Sequence, residues 1–291
     1  MHAMDAARRH STWTRCLIAG AALAGLAMTA GVAVSDAQAQ ERTRLNKAIE
    51  AIENGEPAIA NQHWRFIDME HAPFSPQRLT EIFAEMDQDR DADGRMNLTP
   101  LVRIPQDGDE DFKWAIKQVL DLGGLGVFVP HVDTAEEATR FIRAMRYPPT
   151  LDSAYPEPRG ERGWGPGRAI SLWGVANATE YHAKADVWPL NPDGELFAVA
   201  MIESAEAVGN IQEILETPIS AIIVVPGDMS IDFGLGPASG PENHPEIDAA
   251  FQKVLEACQA QDRVVCGIGD GAARLQQRID EGWQFILPLG G

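Results

Sequence analysis

The chain has 291 residues, of which 45% are hydrophobic, and this is ample for the core of one α/β domain of barrel size. Acidic side chains outnumber basic ones by 43 to 24, which gives a formal net charge of −19 at pH 7. A surface of this sign argues against nucleic acids and anionic membranes as partners. The 3 cysteines do not have the spacing of a zinc site.

Residues 1–39 have the pattern of a cleavable export signal. A basic start at Arg8 precedes the apolar run Cys16–Val34, and Ala37–Ala39 supplies the small residues of a signal peptidase site. An uncleaved anchor is the alternative, but the run is short and rich in Gly and Ala rather than in Leu and Ile. We therefore expect a signal peptide over 1–39. The mature chain would be a periplasmic single domain over 40–291, with no stable membrane anchor after cleavage.

The mature chain begins with the apolar stripe of a helix over Arg42–Gly55, followed by a short strand that starts at Trp64. This strand leads into Asp68 and His71, spaced as Asp-x-x-His. An aspartate in this position can hold and polarise the imidazole of a general base. The alternative is a surface turn in which both side chains face water.

The next predicted strand, Leu98–Ile104, carries Arg103 close to its end. It follows a predicted helix over Ser75–Met86 and an acidic loop, Asp87–Asn97, which lacks the ligand order of an EF-hand. An arginine at a strand end can clamp a carboxylate or an enolate oxygen. Arg103 is therefore a candidate for substrate binding.

A helix over Asp111–Leu122, a strand over Gly126–Pro130 and a helix over Thr134–Met145 continue the alternation. Asp121 falls in the last turn of the first of these helices. The helix dipole disfavours a carboxylate there unless a cation faces it. We expect such a cation near Asp121.

A long Pro/Gly/Trp-rich insert occupies residues 150–192. Loops of this length are often lids or subunit contacts. Within it, His182, Lys184 and Trp188 are within reach of a substrate in principle, but packing is the favoured interpretation. We likewise favour a structural role for His131.

Two apolar strands, Phe197–Ile202 and Ala221–Val225, flank a predicted helix over Ser204–Leu215. Glu203 follows the first strand, and Asp228 follows the second after a Pro-Gly turn. The strands of such a βαβ unit are parallel, so both carboxylates lie at the same edge of the sheet. Hard oxygen ligands of this kind suit Mg²⁺ or Mn²⁺. The alternative is that both merely cap the structures that follow.

Polar side chains therefore follow strand after strand of an alternating βα chain, as they do at the mouth of a TIM (β/α)8 barrel. The side chains in question are His71, Arg103, Glu203 and Asp228. We predict an α/β fold of this barrel class. Two of the cysteines lie close together near the C terminus, and they either form a disulfide or stay free and buried.

Several short blocks, taken in order, resemble the HpcH/HpaI aldolase/citrate lyase family, the class II metal-dependent pyruvate aldolases with a barrel of the phosphoenolpyruvate type. The resemblance covers Leu45 to Leu289. RYPP and the pair MIE and PGD are the most specific motifs. The blocks are Ile67–Pro73, Leu101–Pro105, Lys117–Gly123, Gly126–Ala138, Arg146–Pro149, Met201–Ile211, Val225–Gly234 and His244–Glu246.

The resemblance implies a divalent metal, Mg²⁺, Mn²⁺ or Co²⁺, bound by Glu203 and Asp228. It implies that Arg103 polarises the carbonyl group and stabilises a pyruvate enolate. The backbone around Gly227 and Asp228 matches the turn that receives the substrate carboxylate. Lewis-acid and arginine stabilisation of an enolate form a coherent chemical scheme.

The resemblance also implies a group of residues for proton transfer. His71 with Asp68 matches the dyad that acts as a base through a metal-bound water. Asp121 matches an aspartate that neighbours Arg103 and helps to seat the dyad.

The sequence departs from the family pattern in three places. The stretch between Gly55 and Asp68 is too short for a complete βα unit, which is either deleted or replaced by a strand in Pro57–Gln62. The strand predicted over Gly282–Leu287 is followed by few residues, so we expect no terminal helix of the kind that family members exchange between subunits. Met201 replaces a glutamine that contacts substrate in the family, which puts that contact in doubt.

Two functions from different classes follow. The first is a metal-dependent carbon–carbon lyase, an aldolase that acts on a 2-keto acid and an aldehyde and that forms a homo-oligomer, as family members do. The second is a catalytically degenerate barrel that serves as an extracytoplasmic binding or interaction protein. The complete set of polar side chains favours the enzyme, whereas the shortened wall and Met201 favour the alternative.

Overall fold

Parallel strands form the frame of the protein, which is a computed structural model that describes residues 43–237 and 243–290. The predicted signal peptide lies outside the described residues. The strands are β1 (Ala58–Ile59), β2 (Trp64–Asp68), β3 (Thr99–Arg103), β4 (Gly126–Val129), β5 (Val187–Trp188), β6 (Leu196–Ile202), β7 (Ala221–Val224), β8 (Val265–Gly271) and β9 (Phe285–Leu289). They pair in the order β1-β9-β8-β7-β6-β4-β3-β2, and β5 pairs with the start of β6. This is a nearly closed barrel of the predicted class.

Helices connect most of the strands and cover the outside of the barrel. They are α1 (Lys47–Glu53), α2 (Pro76–Met86), α3 (Lys113–Leu122), α4 (Ala135–Met145), α5 (Gly167–Trp173), α6 (Ala178–Lys184), α7 (Ala205–Gly209), α8 (Ile211–Leu215), α9 (Pro226–Asp232), α10 (Pro245–Gln259) and α11 (Leu275–Glu281). In the two described ranges, no helix combines the length and the apolar character that a membrane crossing requires. The chain therefore follows the alternating order that its apolar patterns predict.

The wall of the barrel between β1 and β2 lacks a crossover helix. β1 lies within the segment that the sequence offered as a replacement strand, and it pairs in parallel with β9. A tight turn then leads directly into β2: Asn61 adopts a left-handed conformation with φ of 64°, and its N–H group donates to the carbonyl of Trp64 at 2.7 Å. A bridge between Ala60 and Trp64 joins the two segments, and the indole of Trp64 donates to the carbonyl of Ala58 at 3.2 Å. The shortened unit thus keeps its strand and loses its helix.

Aromatic side chains fill the inside of the barrel. Trp64 stacks on Phe285 with ring centroids 4.4 Å apart, and Phe128 and Phe197 pack against the same ring of Phe285. The side chains of Ala48, Ile49 and Ala51 in α1 belong to the same hydrophobic cluster, so α1 packs against the core inside the barrel. Large rings therefore fill the interior, as expected for a barrel that is a packed core rather than a pore.

The insert at 150–192 packs against the barrel, in agreement with the favoured interpretation. Trp173, at the end of α5, donates from its indole to the carbonyl of Gly123, which follows α3. His182 stacks on Tyr147 with centroids 5.7 Å apart, and Trp188 stacks on Phe197. Because Gly123 and the start of β6 lie at the amino ends of the strands, these contacts hold the insert away from the carboxyl ends, where barrel enzymes place their chemistry.

A disulfide joins Cys258, near the end of α10, to Cys266 in β8. It resolves the alternative that the sequence left open. We expect the double variant Cys258→Ala/Cys266→Ala to lose about 2–3 kcal/mol of unfolding free energy, because a short loop is no longer closed in the unfolded chain. Urea unfolding of both proteins, each with and without a reducing agent, measures the effect. The same midpoint for wild type and variant under oxidising conditions would contradict it.

Candidate active site at the carboxyl ends of the strands

Arg103 forms the centre of a charged cluster at the ends of β2 and β3. The two strands pair in a register that places Asp68 opposite Arg103. The buried guanidinium of Arg103 donates from Nε to Asp68 Oδ1 at 3.1 Å and from Nη2 to Asp68 Oδ2 at 2.6 Å. Partial burial opposes ionisation of Asp68, but these bonds and the charge of Arg103 outweigh it and lower the pKa of the carboxyl group. The structure thus brings together two predicted site residues as a bidentate pair.

His71 lies in the same cluster, as predicted, but its nearest partner is the arginine. The Asp68 carboxylate accepts hydrogen bonds from the backbone N–H groups of Glu70 and His71 at 3.0 and 3.3 Å, which folds the turn after β2. His71 Nδ1 lies 2.7 Å from Arg103 Nη2 and 3.2 Å from Asp68 Oδ2. Because a guanidinium only donates, the shorter contact requires an unprotonated Nδ1. Nδ1 therefore has two alternative partners, Arg103 and Asp68, while Nε2 lies 3.6 Å from Glu70 Oε2.

Glu203 follows β6 and is the buried carboxylate of the mouth, with 1% of its surface exposed. Its Oε2 atom accepts a hydrogen bond from the backbone N–H group of His131 at 3.1 Å. Burial raises the pKa of Glu203 to about 7; the charges of Asp228 and Glu70 add to the rise, and His131 opposes it. Burial disfavours the charged form of the His131 imidazole, but nearby carboxylates, Glu203 foremost, outweigh this and raise its pKa.

Asp228 and Gly227 lie in the first turn of α9, which begins at Pro226 directly after β7. The sequence predicted a Pro-Gly turn here, and the structure has a short helix instead. The charge of Asp228 contributes to the raised pKa of both Glu203 and Glu70, although its own side chain is exposed. Gly227 is exposed, and a Cβ atom built on it would contact nothing within 4 Å. Its role in receiving a carboxylate remains a prediction.

Glu70 is a site residue that the sequence did not single out. Its Oε2 atom lies 2.8 Å from Arg103 Nη1 but has no hydrogen-bond partner of good geometry among the described residues. Burial raises the pKa of Glu70, while the charges of Arg103 and His71 oppose the rise. Its position in the turn between Asp68 and His71 was the available signal.

Two sets of donors in the mouth are able to hold a divalent cation. Ligand atoms of Asp68, Glu70 and His71 lie within 4.8 Å of one another. However, Arg103 already occupies the space between them, and its charge repels a cation. The buried Glu203 and the exposed Asp228 also present carboxylate oxygens, which suit a hard divalent cation. The cation beside them is the imidazole of His131, which can lose its proton, whereas an arginine cannot. The chemistry of the donors therefore fits a hard divalent metal best at Glu203 and Asp228.

Asp121 lies at the other end of the barrel from the predicted dyad. Its position in the last turn of α3 is close to the start of β3, since Leu125 donates its N–H to the carbonyl of Pro100. The carboxylate of Asp121 pairs with Lys117 and accepts a hydrogen bond from Arg162 Nη2 at 2.7 Å. Lys117 and Arg162 therefore supply the positive charge that offsets the unfavourable interaction of Asp121 with the C-terminal end of the helix dipole. Within the described residues Asp121 makes no contact with Arg103 or the dyad, and its expected part in seating the dyad remains a prediction.

Replacing Asp121 with leucine is expected to cost about 3 kcal/mol of unfolding free energy, because the side chain of Arg162, with 0% exposed, loses its ionic partner. The double variant Asp121→Leu/Arg162→Leu is expected to recover part of the loss, since no charge is left buried alone. Urea unfolding of both variants measures this. Equal stability of wild type and the single variant would show that the pair contributes nothing.

Comparison with known proteins identifies the family to which the chain belongs. A family model described as HpcH/HpaI aldolase/citrate lyase matches residues 48–286. The chain belongs to this family. The match confirms the resemblance that the sequence motifs indicated, and it spans all strands from β1 to the first residues of β9.

Two curated relatives share most of their length with the chain. A 4-hydroxy-2-oxovalerate aldolase of Novosphingobium aromaticivorans is 36% identical over 230 residues, which cover 77% of this chain and 73% of the relative. A hydroxypyruvate/pyruvate aldolase of Agrobacterium fabrum is 32% identical over 213 residues, which cover 72% of this chain and 70% of the relative. Among solved structures, an HpcH/HpaI aldolase of Desulfitobacterium hafniense superposes with a TM-score of 0.62 at 26% identity, over 85% of this chain and 82% of that one.

Proposed function

We propose that the protein is a divalent-metal-dependent aldolase that makes or breaks a carbon–carbon bond between a pyruvate-type 2-keto acid and an aldehyde. The observation that carries the proposal is the convergence of the buried Arg103 and the buried Glu203 on one mouth, with Asp68, His71 and Asp228 beside them. The names of the relatives support it, since they are aldolases of 2-keto acids. The shortened wall, which favoured the degenerate binding protein, lacks a crossover helix but keeps the strand β1, and the strand pair that carries Asp68 and Arg103 is in place.

Arg103 is the residue that would stabilise the enolate. In cleavage, the bond between C3 and C4 of a 4-hydroxy-2-oxo acid breaks, and its electron pair becomes the enolate of the 2-keto acid. A buried guanidinium, already fixed by two carboxylates, is a preorganised donor for the developing oxygen charge. Of the Arg103 contacts, those to Asp68 hold the fork in position.

A divalent metal held by Glu203 and Asp228 would supply a Lewis acid for the keto acid when bound. Mg²⁺, Mn²⁺ and Co²⁺ all accept carboxylate oxygens. The buried Glu203 must lose its proton to serve as a ligand, and its raised pKa makes this step dependent on pH near neutrality.

His71 is the residue that would move the proton. Its ring is 65% exposed, so a substrate can reach it. To accept the proton of the 4-hydroxyl group at Nε2, the ring must carry a proton on Nδ1. Nδ1 must therefore give up its contact with Arg103 Nη2 and donate instead to Asp68 Oδ2, which is 3.2 Å away. Asp68 then stabilises the imidazolium, which returns the proton to C3 of the enolate.

Release of pyruvate from a panel of 4-hydroxy-2-oxo acids tests the proposal, with lactate dehydrogenase and NADH as the coupled detector. The metal-stripped protein is expected to be inactive and to recover with Mg²⁺, Mn²⁺ or Co²⁺. The wild type and the variant Glu206→Gln, altered at an exposed position on α7, are expected to behave alike. No pyruvate from any member of the panel, with metal shown to be bound, would contradict the proposal.

We also propose that the protein acts outside the cytoplasm, after removal of residues 1–39, and as a homo-oligomer. The disulfide between Cys258 and Cys266 supports an oxidising compartment. N-terminal sequencing of the protein from a periplasmic fraction would test the export. An intact Met1 would contradict it, and the mass of the purified protein in solution would test the oligomer.

A further inference from the structure

The turn after β4 has an unusual backbone in the mouth of the barrel. His131 adopts a left-handed conformation with φ of 46°. A residue with a Cβ atom is strained there, and glycine is the residue that adopts this region freely. A strained residue persists only where the surrounding structure imposes its conformation, and such residues cluster at functional sites. The hydrogen bonds of this turn explain how the surrounding structure imposes the left-handed conformation of His131.

The peptide groups around His131 are held by a neighbouring loop on one side and by a strand on the other. The N–H group of Gly108, in the loop after β3, donates to the carbonyl of His131 at 3.2 Å. On the other side, the N–H group of Val132 donates to the carbonyl of Met201 in β6 at 3.1 Å. The loop approaches so closely that a Cβ atom built on Gly108 would lie 2.5 Å from the His131 oxygen. The turn therefore has little freedom to rotate.

The result of this geometry is a single hydrogen bond to the buried carboxylate of the site. The N–H group of His131 points at Glu203 Oε2, 3.1 Å away. Within residues 43–237 and 243–290, it is the one hydrogen-bond donor to the Glu203 side chain. A carboxylate with 1% of its surface exposed depends on such a donor, because it is removed from water. Among the described residues, none is seen to donate to Oε1.

We propose that His131 is a positioning residue, whose left-handed backbone holds the Glu203 carboxylate in the orientation that binds the divalent metal. The inference rests on the metal site of the proposed function. Groups that orient a ligand affect metal affinity without touching the metal. The proposal concerns the backbone N–H group of His131. The imidazole, whose charge also acts on Glu203, is absent from both His131→Gly and His131→Val, so a comparison of these two variants isolates the backbone.

Mn²⁺ binding to the full chain tests the proposal, followed by electron paramagnetic resonance of the free ion. His131→Val keeps the N–H group but adds a β-branched side chain that disfavours the left-handed region, and we expect its affinity to fall by about tenfold or more. His131→Gly adopts this region freely and is expected to bind Mn²⁺ at least about fivefold more tightly than His131→Val. Gly108→Ala, which pushes on the same carbonyl, is expected to weaken binding and serves as a second variant if His131→Val does not fold.

The matched control is Asn61→Val, since Asn61 is the other non-glycine residue with positive φ in the described part of the chain. It imposes a similar backbone strain in the turn between β1 and β2, away from the mouth, and is expected to lower the melting temperature without changing Mn²⁺ affinity. Equal Mn²⁺ affinity of wild type, His131→Val and Gly108→Ala would overturn this inference alone. A wild type that binds no Mn²⁺ would overturn the proposed metal site and the inference with it.

Discussion

Replacing Arg103 with methionine is expected to slow pyruvate enolisation by about a hundredfold to a thousandfold, because the donor for the enolate oxygen is lost. The change also leaves the partly buried carboxylates of Asp68 and Glu70 without their cation. We therefore expect Asp68 to hold a proton at higher pH than in the wild type. Arg103→Lys keeps the positive charge but loses the two parallel N–H donors of the guanidinium, and its rate should exceed that of Arg103→Met only slightly.

Arg95→Met is the matched control for this prediction. Arg95 is also largely buried and forms ion pairs with Glu50 and Asp91, remote from the strand ends that form the mouth. Its replacement should lower stability without a comparable loss of rate. The rates are measured as deuterium exchange into the methyl group of pyruvate at saturating Mg²⁺. An Arg103→Met enzyme with the wild-type rate would remove Arg103 from the chemistry.

Glu203→Gln is expected to abolish the proposed metal-dependent activity, with a loss of about a thousandfold or more, since one of the two proposed metal ligands is removed. It should also stabilise the metal-free protein at high pH. The pKa of Glu203 is raised from 4.5 to about 7 in the folded protein. Below pH 4.5, Glu203 is protonated in both the folded and the unfolded state, so its ionisation does not change the free energy of unfolding. Above the higher value, the folded state contains a buried charge, which costs roughly 3 kcal/mol.

The sign of this effect is measurable by urea unfolding in EDTA at pH 4.5 and pH 8. The variant should gain stability over the wild type at pH 8 but not at pH 4.5, and Mn²⁺ should stabilise only the wild type. Glu195→Gln is the control, since Glu195 is equally buried but accepts its hydrogen bonds from the backbone of Leu45 and Asn46. It should leave Mn²⁺ binding intact. Mn²⁺ binding by Glu203→Gln with wild-type affinity would contradict the assignment.

The strand ends of the site were predictable because each buried strand is a continuous apolar run that stops at a polar residue. Arg103 and Glu203 lie where these runs end, as predicted, and the parallel sheet gathers them at one edge. The helix predicted over Ser204–Leu215 is interrupted at Asn210, which separates α7 from α8. The side chain of Asn210 donates to the carbonyl of Asp133, a tertiary contact that helical periodicity does not reveal.

The residues that the sequence left out owe their importance to neighbours far away in the chain. Glu70 is one acidic residue among many until Arg103 and Glu203 are placed beside it. His131 was interpreted as structural, and its contact with Glu203 depends on a turn held by other loops. Arg162, the partner of Asp121, lies in the insert, and no sequence motif there indicates that the two residues pair. Motifs identify residue types, whereas pairing partners depend on the packed fold.

The central claim, metal-dependent enolate formation at this mouth, is tested most directly by the exchange of pyruvate methyl protons in D₂O. The experiment uses the full chain with Mg²⁺, the same protein in EDTA, and Glu203→Gln with Mg²⁺, followed by proton nuclear magnetic resonance. It needs no knowledge of the aldehyde. We predict exchange in the first sample and none above the solvent rate in the other two. Absence of exchange in the first sample, from folded protein that binds the metal, would contradict the claim.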